Sequence, residues 1–519
     1  MHLSSFGAPK IAVISNVTIE PFFSKKIRSF IDGAKVCFIP YDEYTYGIEQ
    51  ISNSDLILIW INVELLFPNY CVDILEEKFT LESLVGSVRL IYDDMLNRIM
   101  ALCGKKVLIM LQDSIRRIEI ATGSVVDKDD VFWRCNAELI ENYSKMATLM
   151  DLDKIIANVG VKSSYDHVNR YRWNAIYTTD LINEVAKEVY KQVLVDEGVT
   201  KKCIVLDCDN VLWGGVIAED GIEKIDIGNI GDGLLYQDFQ RFLLELHYNG
   251  VILAVASKND YADVMNIFDN HSGMVLKKRH ISCFEVNWNN KAESILKIAN
   301  FLNIGLDSIV FVDDSQYEIN FVMTSLPEVT TILFNKNENF YSLFSCINLD
   351  KAIDRDMVKI RNETYKTNLK REVLRQDSTD YQQFLKNLNT TIEICKTTEL
   401  ELRRISELSL RTNRCTNGVR YTIEYLTAEY NKNSDNYYSV YVKDEFGDLG
   451  LVGAIIINDD TVDLFCLSCR ALGREVEDTM VRFILDEYDA KHIQFVNTCK
   501  NNEIKQYLCG YFDVLEIKK

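Results

Sequence analysis

Short apolar runs recur along the chain, separated by longer stretches in which apolar positions return every three or four residues. The runs read as buried strands and the stretches as covering helices. Three blocks emerge. In the first, about 1–195, KIAVI (10–14), DLILIWI (55–61) and KKVLIML (105–111) alternate with helix-like segments, which predicts an α/β domain with parallel strands. In the second, about 198–345, KCIVLDCD (202–209), GVILAVAS (250–257), HISCFEV (280–286) and SIVFVDD (308–314) read as strands, with helices between them. That order predicts a doubly wound parallel sheet. In the third, about 355–519, an amphipathic helix (399–412) precedes three strand-like runs within 436–469 and a helix over 475–491. A meander followed by a helix is an α+β pattern, and Asn458-Asp459-Asp460 is the expected hairpin turn. The fold class expected is α/β: a central doubly wound domain flanked by an N-terminal α/β domain and a C-terminal α+β domain.

Composition changes this picture little. The chain has 519 residues, 47% of them apolar, as expected of a globular protein. The longest apolar run, Leu56 to Ile61, is far short of the ~18 residues that a membrane span needs, and the start does not read as a signal peptide. Fourteen cysteines without an export signal point to a reducing cytoplasm. The one C-x-x-C spacing, Cys466 and Cys469, has no second pair to complete a zinc site. A net charge of −20 argues against broad nucleic-acid binding.

The candidate chemistry lies in the middle block. In an open parallel sheet, ligands sit beyond the carboxyl ends of the strands. There the sequence places Asp207 and Asp209, Ser257, and Asp313 with Asp314, while Lys291 opens a helix. Carboxylates gathered at one sheet edge repel each other, and a divalent cation such as Mg²⁺ relieves that repulsion with the oxygen ligands it prefers. Phosphoryl transfer needs this charge neutralisation and an in-line nucleophile. A carboxylate serves as nucleophile, and a second carboxyl two residues on protonates the leaving group.

The pattern resembles the haloacid dehalogenase superfamily. Asp207-Cys208-Asp209-Asn210-Val211 meets its D-x-D-x-[TV] motif, Ser257 its second motif, Lys291 its third, and Asp313-Asp314 its acidic fourth. The resemblance implies that Asp207 is nucleophile and metal ligand. It makes Asp209 the general acid/base, with its backbone carbonyl on the metal. Asp313 and Asp314 complete a Mg²⁺ shell, Asp314 through water. Ser257 and Lys291, with Lys258 and Asn259 beside Ser257, hold the phosphate.

Longer stretches narrow the resemblance. LDCDNVLWGGVIAEDG (206–221), ASKND (256–260) and NWNNKAESI (287–295) are similar to the FkbH-like family, a HAD-IIIC type. RTNRCTNGVRYT (411–422), KDEFGDLGLVG (443–453) and FCLSCRALGREVED (465–478) resemble that family's acetyltransferase-like (GNAT-like) C-terminal region. The resemblance implies a loader of a glyceryl unit from 1,3-bisphosphoglycerate, a phosphorylated three-carbon substrate, onto the phosphopantetheine thiol of an acyl carrier protein in polyketide-type biosynthesis. The alternatives are a plain phosphatase and a docking module without catalysis. The short interval from Asp207 to Ser257 leaves little room for a large cap over the site. Cys208 reads either as a thiolate that relays the acyl group or as a small apolar filler, and strand alternation turns it away from Asp207 and Asp209. Trp213-Gly214-Gly215 reads as a flap turn, its indole lining the entrance or packing the turn.

Both flanks depart from the families they resemble. In the third block, Glu475 stands where a coenzyme A loop (Arg470 to Glu475, through Gly473) needs a small residue, which disfavours acetyl transfer. The first block distantly resembles Ser-Gly-Asn-His (SGNH) hydrolases. Ser15-Asn16 replaces G-D-S, and Asp166 and His167 are adjacent where that family separates them, so a scaffold or docking role is expected instead.

Overall fold

The computed structural model describes residues 9–100, 106–114, 130–144, 146–196, 199–345, 347–349, 388–472, 474–498 and 500–517. It divides into two compact units. One comprises Met1–Val193, Tyr421–Lys432 and Lys518–Lys519, and the other Leu194–Arg420 and Asn433–Ile517. Among the described residues, no helix is long and apolar enough to cross a membrane, and the cysteines are free thiols.

The first unit holds strands β1 (Lys10–Ser15), β2 (Lys35–Pro40), β3 (Leu56–Trp60), β4 (Lys106–Met110) and β5 (Thr148–Met150). They form one parallel sheet in the order β2-β1-β3-β4-β5. Alternate side chains feed opposite faces, as the two-residue period of a strand requires. Ile11, Val13, Leu56 and Leu58 enter one core, while Ala12, Ile14, Ile57 and Ile59 enter the other. Polar alternation is absent because both faces are covered, so the strands read as continuous apolar runs.

The second unit carries two sheets. The first contains β6 (Cys203–Leu206), β7 (Ile252–Ser257), β8 (Cys283–Val286), β9 (Ile309–Asp313) and β10 (Thr330–Leu333). All are parallel, in the order β10-β9-β6-β7-β8. Ile204, Leu206, Leu253 and Val255 pack on one face beneath the helix Gly231–Tyr248. Cys203, Val205, Ala254 and Phe311 pack on the other beneath the helix Lys291–Leu302. The chain winds from β6 outward to β8, then returns to lay β9 on the far side of β6. The switch point therefore falls at the carboxyl ends of β6 and β9, where Asp207 and Asp313 stand.

The second sheet contains β11 (Thr391–Lys396), β12 (Tyr437–Asp444), β13 (Gly447–Asn458), β14 (Thr461–Leu467), β15 (His492–Phe495) and β16 (Asp513–Glu516), in that order. β11 to β14 are antiparallel, and the last two strands join in parallel. The expected hairpin lies between Asn458 and Thr461, with Asp459 at φ 53°. β14 and β15 pair only at Thr461↔His492 and Val462↔Ile493 and then part. The segment Cys415–Asn417 fills the parting. Leu467 N–H donates to the Cys415 carbonyl at 2.9 Å, Asn417 N–H to Phe465 O at 2.9 Å, and Val496 N–H to Asn417 O at 2.8 Å. Gly418, at φ +80°, follows because a Cβ there would stand 1.9 Å from Val496 O.

The two sheets of this unit meet at the amino ends of the parallel strands. Lys202 Nζ donates to Arg411 O at 3.1 Å, Asn303 Nδ2 to Cys469 O at 2.8 Å, and Arg414 to Asn303 Oδ1 at 3.2 Å. Lys500 pairs with Asp307. The carboxyl ends, which carry the acids, lie at the opposite edge.

Candidate metal and phosphate site

Three carboxylates converge at the switch point. One oxygen from each of Asp207, Asp313 and Asp314 lies within 4.8 Å of the others. Asp207 follows β6 and its backbone N–H pairs with Val312 O at 3.0 Å, so the parallel register itself sets it against Asp313. Lys291 opens the helix after β8, buried to 3% exposure. Its Nζ donates to Asp207 Oδ1 at 2.6 Å and to Ala256 O at 2.7 Å, and lies 3.3 Å from Asp313 Oδ2. Burial opposes the ammonium charge, but Asp207 and Asp313 outweigh it and raise the Lys291 pKa.

One ammonium does not balance three acids. Burial, then the nearby Asp207, lifts the Asp313 carboxyl to about 7. The same causes in the same order raise Asp314. Asp313 Oδ2 is buried and accepts no hydrogen bond; its ion pair is with the Lys291 ammonium 3.3 Å away, whose hydrogen bonds go to Asp207 and Ala256. A buried oxygen so short of partners is costly. A small, hard cation would pair with it, and carboxylates without sulfur or imidazole suit Mg²⁺. The donor set therefore fits the expected metal.

Asp209 stands apart from this cluster. Its Oδ1 accepts the Trp213 indole N–H at 2.8 Å and the Ile217 N–H at 3.4 Å, and its Oδ2 accepts from Asn259 at 3.0 Å. Burial raises its pKa, against the pull of these donors. Its side chain thus stands outside the carboxylate cluster, which draws on Asp207, Asp313 and Asp314. Trp213 is fully buried and packs edge-on against Phe268, so it packs the flap turn and does not line the entrance. Gly214 exchanges backbone hydrogen bonds with Asp226 at 2.8 and 2.9 Å, and a Cβ on Gly214 would stand 2.8 Å from the Tyr236 ring. Between β6 and the helix Gly231–Tyr248, this flap holds only a short helix (Ile217–Asp220) and one 3₁₀ turn (Ile222–Lys224).

Ser257, 2% exposed, ends β7 beside Asp207, and its Oγ accepts from Asn259 at 3.0 Å. Lys258 turns elsewhere: its Nζ pairs with Glu318 at 2.6 Å, so the phosphate role expected for it is not the one its side chain takes here. Nothing in the sequence marked Glu318; it stands one turn into the helix after Asp313-Asp314 and is known only through the fold.

Cys208 is fully buried in the apolar core with Leu206, Val211 and Leu212. Burial, then Asp207, pushes its thiol well above its ordinary range. Such a thiol stays protonated, so the relay role is corrected to the packing one. Burial also pushes Cys283 and Cys466 up to about 12. The expected coenzyme A loop includes Gly473, which lies outside the described residues.

In the first unit, Ser15 Oγ donates to Trp60 O at 2.6 Å, and Asp166 caps the helix His167–Trp173 by accepting from Val168 and Asn169. Both groups make structural hydrogen bonds to backbone atoms. A cleft of about 490 Å³ lies by Ser15, Asn16, Glu20, Tyr41 and Leu66.

No protein-family model matches the chain, and no curated protein matches it. Among solved structures, it is similar to the N-terminal part of the protein BF1531 from Bacteroides fragilis, which contains a phosphatase domain and was solved in complex with Mg. The TM-score is 0.58 at 24% identity, covering 67% of this chain and 96% of that one. A HAD family enzyme from Bacteroides thetaiotaomicron, in complex with magnesium and inorganic phosphate, aligns at a TM-score of 0.20 and 13% identity, over 28% of this chain and 99% of that one. The first likeness is one of fold, and the second is too loose to carry an argument.

Proposed function

We propose that the chain is a Mg²⁺-dependent enzyme of the haloacid dehalogenase type that loads a glyceryl unit from 1,3-bisphosphoglycerate onto a carrier-protein thiol, with release of phosphate. The observation that carries the phosphoryl chemistry is the convergence of Asp207, Asp313 and Asp314 around a buried oxygen of Asp313 that accepts no hydrogen bond, with one ammonium, Lys291, beside the three acids. Those three acids would hold the ion, which supplies charge neutralisation on the phosphoryl oxygens. Asp207 accepts the phosphoryl group, Asp209 protonates the departing oxygen and later draws a proton from water, and Ser257 and Lys291 hold the phosphate oxygens. The phosphatase domain of the Bacteroides fragilis relative supports the same class of reaction.

A glyceryl thioester keeps neither phosphate of its donor, so two bonds to phosphate must break. The ester phosphate leaves by transfer to Asp207 and then to water. The acyl phosphate is attacked by the carrier thiol. The burial of Cys208 favours direct attack by that thiol over a relay through the enzyme. The short flap between β6 and the helix Gly231–Tyr248 suits access by a carrier arm, and it equally suits a phosphatase acting on a carrier-bound ester.

The test is incubation with 1,3-bisphosphoglycerate, Mg²⁺ and carrier protein, read by intact mass. A glyceryl increment on the carrier, lost in Asp207→Asn and kept in Cys208→Ala, is the expected result. Free phosphate with an unmodified carrier reduces the function to a phosphatase. Neither change, in folded protein, overturns the catalytic reading.

A further inference from the structure

One side chain joins the acid/base carboxyl to the phosphate-binding hydroxyl. Asn259 lies two residues beyond β7, in the turn before the helix Tyr261–Asn270, and is 3% exposed. Its Nδ2 donates to Asp209 Oδ2 at 3.0 Å and to Ser257 Oγ at 3.0 Å. An amide nitrogen has two N–H bonds, and both are taken. The Asn259 side chain therefore has no donor left for a phosphate oxygen, the role expected from its place beside Ser257.

The other Asp209 oxygen is held from the flap by the Trp213 indole at 2.8 Å and the Ile217 N–H at 3.4 Å. Held at both oxygens from two separate elements, a short carboxyl side chain has one orientation open to it. Delivery of a proton requires the acid within ~2.6–3.2 Å of the departing oxygen, and a displacement of about 1 Å costs roughly a hundredfold in rate. The flap fixes where Asp209 lies relative to β6, and Asn259 fixes it relative to Ser257 and hence to the phosphoryl group.

We propose that Asn259 is a positioning residue for proton transfer: by tying Asp209 to Ser257 it sets the acid at the leaving-group oxygen. This rests on the reading of Asp209 as the general acid, and it makes a prediction that phosphate binding does not. A leaving group that needs a proton depends on Asn259, while one that departs readily as an anion depends on it far less.

The experiment compares Asn259→Ala with the unmodified enzyme, with Mg²⁺, on glycerol 3-phosphate and on p-nitrophenyl phosphate. The alkyl ester needs protonation of its alkoxide; the nitrophenolate does not. In the variant, kcat/KM, which reports the steps up to departure of the leaving group and not the later attack of water that both esters share, is expected to fall about a hundredfold on the alkyl ester and less than tenfold on the aryl ester. The calorimetric affinities for inorganic phosphate and for Mg²⁺ should change by no more than about threefold, since the Asn259 side chain meets neither group. Equal falls in kcat/KM on both esters, or weakened binding of inorganic phosphate with the alkyl-to-aryl ratio kept, would overturn the positioning role and return Asn259 to phosphate binding. If Asn259→Ala does not fold, Asn259→Gln, which moves the same amide by one methylene, is judged by the same ratio of alkyl to aryl rates. If the unmodified enzyme releases phosphate from neither ester, the phosphoryl-transfer reading itself has failed, and this proposal fails with it.

Discussion

Asp313 shows how a single residue couples folding to the metal. Burial, then the nearby Asp207, lifts its carboxyl to about 7 in the folded protein, against an ordinary value of about 3.9 in an unfolded chain. The folded state thus holds this proton more tightly than the unfolded state does. Its contribution to stability is present in full below the unfolded value and is lost as pH rises through the folded one. A metal needs the carboxylate, so Mg²⁺ competes with the proton and binds better above that value. Thermal melts should therefore show a larger Mg²⁺-induced rise in Tm at pH 8 than at pH 5.5, and Asp313→Asn should abolish the difference. Equal rises at both pH values would contradict the link. At this scale the sequence was informative wherever a residue ended a strand. Asp207, Ser257 and Asp313 were legible because a polar residue closing an apolar run must face the sheet edge. Cys208 was legible in direction, through alternation, though not in depth of burial. The partner of Lys258 was not legible: Glu318 lies sixty residues away along the chain, and only the adjacency of β9, β6 and β7 brings it near.

At the scale of elements, the parallel strands were easy to see because both faces are covered, so each reads as an unbroken apolar run. The strands that escaped notice lie mostly at the margins. β2, with exposed Lys35 and Pro40, and β16, with two exposed glutamate and aspartate ends, are edges with partly polar patterns. β5 is only three residues long. The segment 411–422 was noticed as a motif, but its work was hidden. Its Asn417 and Gly418 stitch the parting between β14 and β15, a contact between elements far apart in sequence. Asn417 Nδ2 donates to Asp463 O at 2.8 Å and to Gln494 O at 3.0 Å, one carbonyl on each side of the gap. Gly418→Ala should destabilise the protein by about 3 kcal/mol or more, because both the positive φ and the contact with Val496 O refuse a Cβ. Denaturant unfolding measures this, and a loss under about 1 kcal/mol would show that the stitch is slack.

At the scale of the molecule, the three-block reading caught the sheets and their classes but not how the chain is shared out. The second and third blocks fall largely in one compact unit, and Tyr421–Lys432 groups with the first. Pattern alone could not reveal that, since hydrophobic periodicity reports what a segment buries and not what it buries against. The net charge of −20 gains a local meaning, because part of it is gathered where the sheet of β6 to β10 changes direction. The C-terminal sheet meets that parallel sheet at the amino ends of its strands, so the contacts that bind the two sheets lie at the edge opposite the acids.

The central claim is that Asp207, Asp313 and Asp314 hold one divalent ion. Crystals soaked in Mn²⁺, with an anomalous difference map, test it most directly. The expected result is a single strong peak about 2.2 Å from an oxygen of Asp207 and of Asp313, with Asp314 reached directly or through one water. A map with no peak between those carboxylates, from crystals in which all three are ordered, would contradict the claim.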